Sequence, residues 1–318
     1  MPDARRRAFR TQRLWKAGEA VAQAEYREIA CKSALNRVRG MAFGWSLNPY
    51  RGCAHGCQYC FARSTHRYLE LGAGADFSGI IFVKTNLPEV LAGELGRRGW
   101  RREQVAVGTA TDPYQAVEGR YRLTRRSLEL FTRFRTPVSI VTKGTLIVRD
   151  ADILQDLGRR AGATVCFSVP TVDREIWLRT EPGTPAPSQR LRVMEQLVSA
   201  DVHCGVLVAP LLPGLSADRS KVTATVRAAA AHGARFIGSN VLHLGPDVRE
   251  HFFGFLQQEY PDLLAGYQRL YGTKHAPKRY RTRVEERVRD VKSALGYSSL
   301  DRHPPKRPPE PRQLSLRI

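Results

Sequence analysis

Short apolar runs separated by amphipathic stretches recur along this chain between residues 105 and 242. The runs at 105–109, 138–142, 164–169, 203–209 and 236–242 are rich in Val, Ile, Leu and Phe, and read as strands buried on both faces. Between them, 125–134, 150–161, 188–199 and 216–232 repeat apolar residues every three or four positions, the spacing of helices with one buried stripe. Strand and helix in alternation predict right-handed crossovers and a parallel sheet, and hence an incomplete (β/α) barrel. Upstream, 17–40 reads as an amphipathic helical lead-in and 42–47 as the first barrel strand. A further strand is expected at 80–84, and the pattern leaves its place in the sheet open. Downstream, Phe252, Phe253, Phe255, Leu256, Tyr260, Leu263, Leu264 and Tyr267 predict helices that cap the open side of the barrel. This divides the chain into a basic N-terminal extension (1–40), a barrel (41–245), a helical extension (246–300) and a Pro/Arg-rich tail (301–318) best left without structure.

Length and charge sharpen that outline. A chain of 318 residues with 42% apolar side chains can bury a substantial core. The opening stretch lacks an apolar run, and no segment approaches the length of a membrane span, so the expectation is a soluble, cytoplasmic protein. The net charge of +21 is concentrated at the ends. Residues 1–16 hold six basic against one acidic residue, and 267–318 hold fourteen against five, leaving +7 for the 250 residues between. Such ends can neutralise phosphates, which makes nucleic acid a plausible partner. Lys274 to Arg283 mixes cations with Tyr280 and follows Tyr271, a composition suited to phosphate contact with base stacking or to a solvated basic helix.

The candidate chemistry lies in the run 48–61, where Cys53, Cys57 and Cys60 stand at C-x3-C-x2-C spacing on a glycine-containing loop. Three thiolates so near in sequence can hold three irons of an iron-sulfur cube and leave the fourth iron open. A zinc site normally takes four ligands at paired spacings. Cys31, Cys166 and Cys204 are isolated, although His55 or a distant cysteine remains available to complete a tetrahedron. A disulfide framework does not suit a long chain without a secretory signal, and an electron-transfer cluster normally has a fourth cysteine. A second motif, 108–118, closes a strand. Its small residues admit a ligand close to the backbone, and Thr109, Thr111 and Asp112 offer oxygens to an ammonium.

The cysteine spacing, with Tyr59 directly before the third cysteine, resembles the radical S-adenosylmethionine (SAM) superfamily. With 59–69, the Thr-Asp-Pro-Tyr-Gln run 111–115, Thr142-Lys143-Gly144, Phe167-Ser168-Val169 and 179–185, it resembles the spore photoproduct lyase-related (SplB-type, DNA repair photolyase-like) branch over about residues 41–245. The resemblance implies a partial (β/α)6 TIM-type barrel and a [4Fe-4S] cluster on Cys53, Cys57 and Cys60. It also implies SAM on the open iron, cleaved by one electron to a 5'-deoxyadenosyl radical that abstracts hydrogen. Tyr59 is then the adenine contact, Thr109, Thr111 and Asp112 stand where the SAM amino group binds, and Lys143 and Ser168 face its carboxylate. An external electron donor such as flavodoxin or ferredoxin is implied, with lyase- or transferase-type chemistry on a macromolecule, nucleic acid first.

The chain also departs from that branch. Superposing the threonine-aspartate motifs puts Thr109 near the cysteine that spore photoproduct lyase uses as hydrogen-atom donor, and an alcohol O–H is a far poorer donor than a thiol. Cys166, on the same strand face as Ser168, is the substitute. The competing expectation is a basic, nucleic-acid-associated Fe-S or zinc module without SAM turnover.

Overall fold

The computed structural model describes residues 24–297. The basic stretch 1–16 and the Pro/Arg-rich tail lie outside them, as do residues 17–23 of the expected lead-in. The chain opens with β1 (Glu25–Ile29), β2 (Leu35–Arg37), β3 (Trp45–Leu47) and β4 (Tyr50–Arg51), then a 3-10 helix (Phe61–Leu69), α1 (Ala75–Gly79) and β5 (Ile80–Lys84). It continues with α2 (Leu87–Leu95), β6 (Val105–Val107), α3 (Glu118–Tyr121), α4 (Leu123–Arg133), β7 (Val138–Thr142), α5 (Ala151–Arg160) and β8 (Ala163–Ser168). After α6 (Arg174–Thr180), α7 (Pro187–Ser199), β9 (Cys204–Leu211), α8 (Arg219–Ala231) and β10 (Ile237–Val241) come three helices, α9 (Pro246–Glu259), α10 (Pro261–Leu270) and α11 (Lys278–Ala294).

Six strands, in the order β3-β6-β7-β8-β9-β10, pair in parallel, and β2 adds an antiparallel edge to β3. This is the expected partial (β/α)6 barrel. Its strands are buried from both sides: Val165 and Phe167 of β8 pack toward the helices, while Thr164, Cys166 and Ser168 take the other face. The helices close that core by the predicted spacing, with Ser127, Leu128 and Phe131 buried on α4 and Val222, Thr225, Val226 and Ala229 on α8. Each aliphatic side chain so buried contributes about 1.5–3 kcal/mol.

The described part of the lead-in differs from expectation. Residues 25–29 and 35–37 are strands, although Glu25, Arg27, Glu28, Leu35 and Arg37 are all good helix formers. Tertiary pairing overrides that propensity, since β1 runs parallel to β5 and β2 antiparallel to β3. The strand whose place was open, β5, lies outside the barrel in a small sheet between β1 and β4. That sheet braces the segment leading into the cysteine loop.

The C-terminal helices behave as a cover. Phe252, Phe255, Leu256 and Tyr267 join the main core, and Phe253, Tyr260, Leu263 and Leu264 pack against it. Tyr271 is buried, stacks on Tyr267, and donates its hydroxyl to the Leu242 carbonyl at 3.0 Å. Tyr280 also packs against the core. The stacking platform that their spacing among cations suggested is therefore spent on packing, because both rings turn inward while the cations face water. Among the described residues no helix is long and apolar enough to cross a membrane.

Candidate functional site

β3 delivers the chain to Asn48 and Pro49, β4 adds two residues, and the cysteine loop follows. Gly52 makes the turn at φ +86°, with space for no side chain: a Cβ there would stand 2.7 Å from the Ile80 carbonyl oxygen. The amide of Cys53 then donates to the Phe77 carbonyl at 3.0 Å. Arg63 gathers the rest of the loop. Its guanidinium donates to the carbonyls of Cys57 (2.9 Å), Gly56 (2.8 Å), Ala73 (3.0 Å) and Gly74 (2.8 Å), and lies over the Phe77 ring.

The other side of the loop rests on distant segments. Gln115 accepts from the Ala54 amide at 2.9 Å and donates to the Gly52 carbonyl at 3.2 Å and the Thr111 hydroxyl at 2.9 Å. The Gln58 amide donates to the Thr180 carbonyl at 2.9 Å, and the Gly183 amide to that of His55 at 3.1 Å. A Cβ on Gly183 would meet the Ala54 oxygen at 2.3 Å, so only glycine lets the two backbones approach this closely.

Beneath the loop, Glu181 accepts from the Tyr59 hydroxyl and from Arg190 Nη2 at 2.5 Å, and Lys143 Nζ stands 3.7 Å from its other oxygen. Arg190 is wholly buried and also donates to the carbonyls of Pro185 (2.8 Å) and Ser168 (2.9 Å). Burial would raise the Glu181 carboxyl, but Arg190 and Lys143 outweigh it and hold it below the usual range. Burial would likewise lower the Lys143 ammonium, while Cys57 and Glu181 keep it above its ordinary value.

A cavity of about 260 Å³ opens above this platform. Its wall carries all three loop cysteines together with Tyr59, Thr109, Thr111, Asp112, Lys143 and Ser168. The expected site residues are thus brought together, with the exception of Cys166, which is not among the lining residues. Burial pushes the Cys166 thiol up to about 12, so it keeps its proton.

Several lining groups are already engaged by the protein. Asp112 accepts from the Thr142 hydroxyl (2.6 Å), the Lys143 amide (2.7 Å) and the Tyr114 amide (2.9 Å), and His55 Nδ1 lies 3.3 Å away. Burial alone would raise this carboxyl; His55 and the hydrogen bonds reverse that and hold it well below the usual range. Thr111 donates to the Gly52 carbonyl at 2.6 Å. Thr109, whose hydroxyl among the described residues meets only Asn48 at 3.2 Å, keeps the most hydrogen-bonding capacity of the three.

The donor set fits a cluster better than a single ion. Among the described residues no group of three or more His, Cys, Asp or Glu is gathered for one metal ion. Ligands of a cube each bind a different iron, and so stand farther apart than ligands of one ion. Burial raises the Cys53 and Cys57 thiols, the latter to about 12, while Lys143 and Arg190 pull Cys57 the other way. Arg63 feels all three cysteines. Three cations around two buried sulfurs and the half-buried Cys60 suit an anionic cluster, and among the described residues no fourth cysteine lines the cavity.

α9 closes the site from outside. His251 Nε2 meets Gln58 Oε1 at 2.9 Å, and Asp247 pairs with Arg67 at 2.8 Å. Burial, with Arg63 nearby, depresses His251 to about 3. Since the fold holds this imidazole neutral, its contribution is complete above the unfolded value near 6.5 and is lost as pH falls toward 3. Urea unfolding at pH 7.5 and pH 5.0 is expected to show a loss of about 2 kcal/mol that His251→Gln removes; an equal loss in both proteins would refute this.

Sequence reasoning did not single out Glu181, Arg190, Gly183 and Arg63 as the frame of the loop. The first three act on the cysteine loop from more than a hundred residues away, and only membership of the motif segments 59–69 and 179–185 and of the helical stretch 188–199 marked these residues. Asn240 and His243, on the β10 side of the cavity, carried no signal at all.

Residues 47–225 match the Radical SAM superfamily. An uncharacterized protein of Mycobacterium tuberculosis is 40% identical over 267 residues, covering 83% of this chain and 78% of that protein. An uncharacterized protein of Methanocaldococcus jannaschii is 24% identical over 189 residues, covering 59% and 68%. Among solved structures, a spore photoproduct lyase mutant with bound AdoMet and dinucleoside spore photoproduct superposes with a TM-score of 0.68 at 14% identity, covering 85% of this chain and 79% of the lyase. At that identity the likeness is one of fold.

Proposed function

This chain belongs to the radical SAM superfamily, and from that premise we propose an enzyme that binds a [4Fe-4S] cluster on Cys53, Cys57 and Cys60, cleaves SAM reductively, and acts on a nucleic acid. Once bound, cluster and SAM supply one-electron chemistry: scission of the sulfonium and removal of a hydrogen atom from the substrate. The observation that carries the reading is the convergence of the three cysteines with Lys143, Ser168 and Thr109 on one cavity.

The residues divide the work. Arg63, Gln115 and the Thr180–Gly183 backbone fix the cysteine loop, so the three sulfurs are preorganised. Lys143, held by Glu181 over the Tyr59 ring at 5.7 Å, presents an ammonium to the SAM carboxylate. Ser168 donates to the Ala209 carbonyl at 2.8 Å and can turn its hydroxyl to the same anion. Thr109 offers an oxygen to the SAM ammonium. Leu207, Pro210, Val241 and Leu242 complete the wall with apolar surface that excludes water. Asn240 and His243 are left for the substrate.

Nucleic acid is favoured over a peptide by the basic C-terminal helix and by the dinucleoside bound in the lyase structure of like fold. A flavodoxin or ferredoxin would supply the electron. Anaerobic reconstitution with iron and sulfide, followed by SAM and a reductant, is expected to yield 5'-deoxyadenosine, stimulated by DNA or RNA. An intact cluster that yields none would favour the non-turnover Fe-S module.

A further inference from the structure

The cavity rim on the β10 side carries a group of basic side chains that the SAM site does not use. His243, just beyond β10, lines the cavity. It forms an isolated antiparallel bridge with His275, and the two imidazoles stack with centroids 4.7 Å apart and planes at 35°. The Leu244 amide donates to the Lys274 carbonyl at 2.9 Å, which fixes this segment of the C-terminal extension against the barrel mouth. Arg281 Nε donates to the Ala276 carbonyl at 3.1 Å, so its guanidinium is held over the same segment. Lys274 and His275 are exposed.

Charge on the two imidazoles is disfavoured here. His243 is depressed by burial, then by His275 and Lys274; His275 is depressed by burial, then by Lys274 and Arg281. Elsewhere exposed arginines find carboxylates, as in Arg27–Glu25, Arg126–Glu89, Arg160–Asp156 and Arg235–Asp201. Among the described residues no ion pair to Lys274, Arg281, His243 or His275 accompanies this cluster. Nor does the following helix relieve it, because the first turn of α11 has no acidic residue and carries Lys278, Arg279 and Arg281 at the positive end of its dipole. Two cations with two hydrogen-bonding imidazoles beside a reaction cavity, without a carboxylate paired to them among the described residues, are the electrostatic complement of an external anion.

We propose that His243, Lys274, His275 and Arg281 form a phosphate-binding rim that seats the sugar-phosphate backbone of a nucleic-acid substrate, placing the attached nucleotide over the cavity. The proposal rests on the functional reading above and names the part of the substrate that is gripped. His243 belongs to both rim and cavity, and so couples backbone binding to the position of the reacting nucleotide. Neutral imidazoles still donate one hydrogen bond each, and the lysine and arginine supply the charge.

The test uses the full chain with its cluster reconstituted and a short fluorescein-labelled single-stranded oligonucleotide, followed by anisotropy across a salt series. Lys274→Gln with Arg281→Gln is expected to weaken binding about tenfold and to reduce the slope of log K against log salt by about 1.4, or about 0.7 for each phosphate no longer neutralised. Arg97→Gln with Arg98→Gln removes the same charge just ahead of β6, at the opposite end of the barrel, and is expected to change neither quantity. If the double variant fails to fold, Lys274→Gln alone, at an exposed side chain, should show half the change in slope. Unchanged affinity and slope, or equal losses in the rim and control pairs, would overturn the proposal. So would poly-glutamate binding with the rim dependence while the oligonucleotide shows none. Formation of 5'-deoxyadenosine by the unmodified protein without oligonucleotide reports separately on the functional reading.

Discussion

Cys57→Ala is expected to leave a folded protein that assembles no catalytically competent cluster, with 5'-deoxyadenosine formation reduced by at least about a thousandfold, equal to roughly 4 kcal/mol of barrier. Cys57 lies at the centre of the loop, its carbonyl held by Arg63 and its thiol pushed up to about 12 by burial. A thiol so placed does not ionise unaided, and iron must displace its proton. Lys143 and Arg190 lower that cost, since each favours a negative sulfur. Removing the sulfur leaves two protein ligands for the cube. Iron and acid-labile sulfide per chain, together with the 5'-deoxyadenosine rate, measure the outcome, and circular dichroism checks the fold. Turnover within tenfold of the unmodified protein would show that Cys57 does not hold the cluster.

Glu181→Gln is expected to cost about 3–5 kcal/mol of stability, because it leaves Arg190 buried without a counter-charge. The loss arises from an orphaned cation rather than from the strength of the pair. Arg190→Met added to Glu181→Gln should therefore recover part of it, and the double-mutant cycle should show clear coupling. Tyr59 and Lys143 lose their anionic partner at the same time, so SAM affinity should fall along with stability. The carboxyl is held below its usual range. Its contribution is thus complete above the ordinary carboxylate value near 4.5 and is lost as pH falls below it, whereas the Gln variant lacks this acid-sensitive part. Urea denaturation and SAM titration read both effects. A variant within about 1 kcal/mol of the unmodified protein would mean that Arg190 finds another partner.

How much of this was legible in the sequence depends on the range of the interaction. β7 spans residues 138–142 as its apolar run predicts, because a strand buried on both faces can hardly be anything else. The spacing of Cys53, Cys57 and Cys60 was legible for a similar reason, since residues within eight positions of one another need only a local loop to meet on one cavity. The lead-in was not. Residues 25–29 become a strand because β5, some fifty residues later, offers an edge to pair with, and composition carries no trace of that edge. Tyr271 and Tyr280 sat among cations in sequence but packed into the core, because the periodicity of a short segment does not fix which face a neighbouring element will cover.

The sequence by itself determined the alternation of strands and helices between 105 and 242, the spacing of Cys53, Cys57 and Cys60, and the strand ends that carry Thr109, Asp112, Lys143 and Ser168, because periodicity and motif spacing are local properties of the chain. Only the tertiary structure decided what stands beneath and around those residues: Glu181 under Tyr59 from 122 residues away, His251 on Gln58 from 193, and His275 against His243 at the rim. Those contacts are made by closing the barrel and folding the C-terminal helices over it. Their energies depend on burial and on charges from separate segments meeting at low dielectric, and neither exists until the chain is folded.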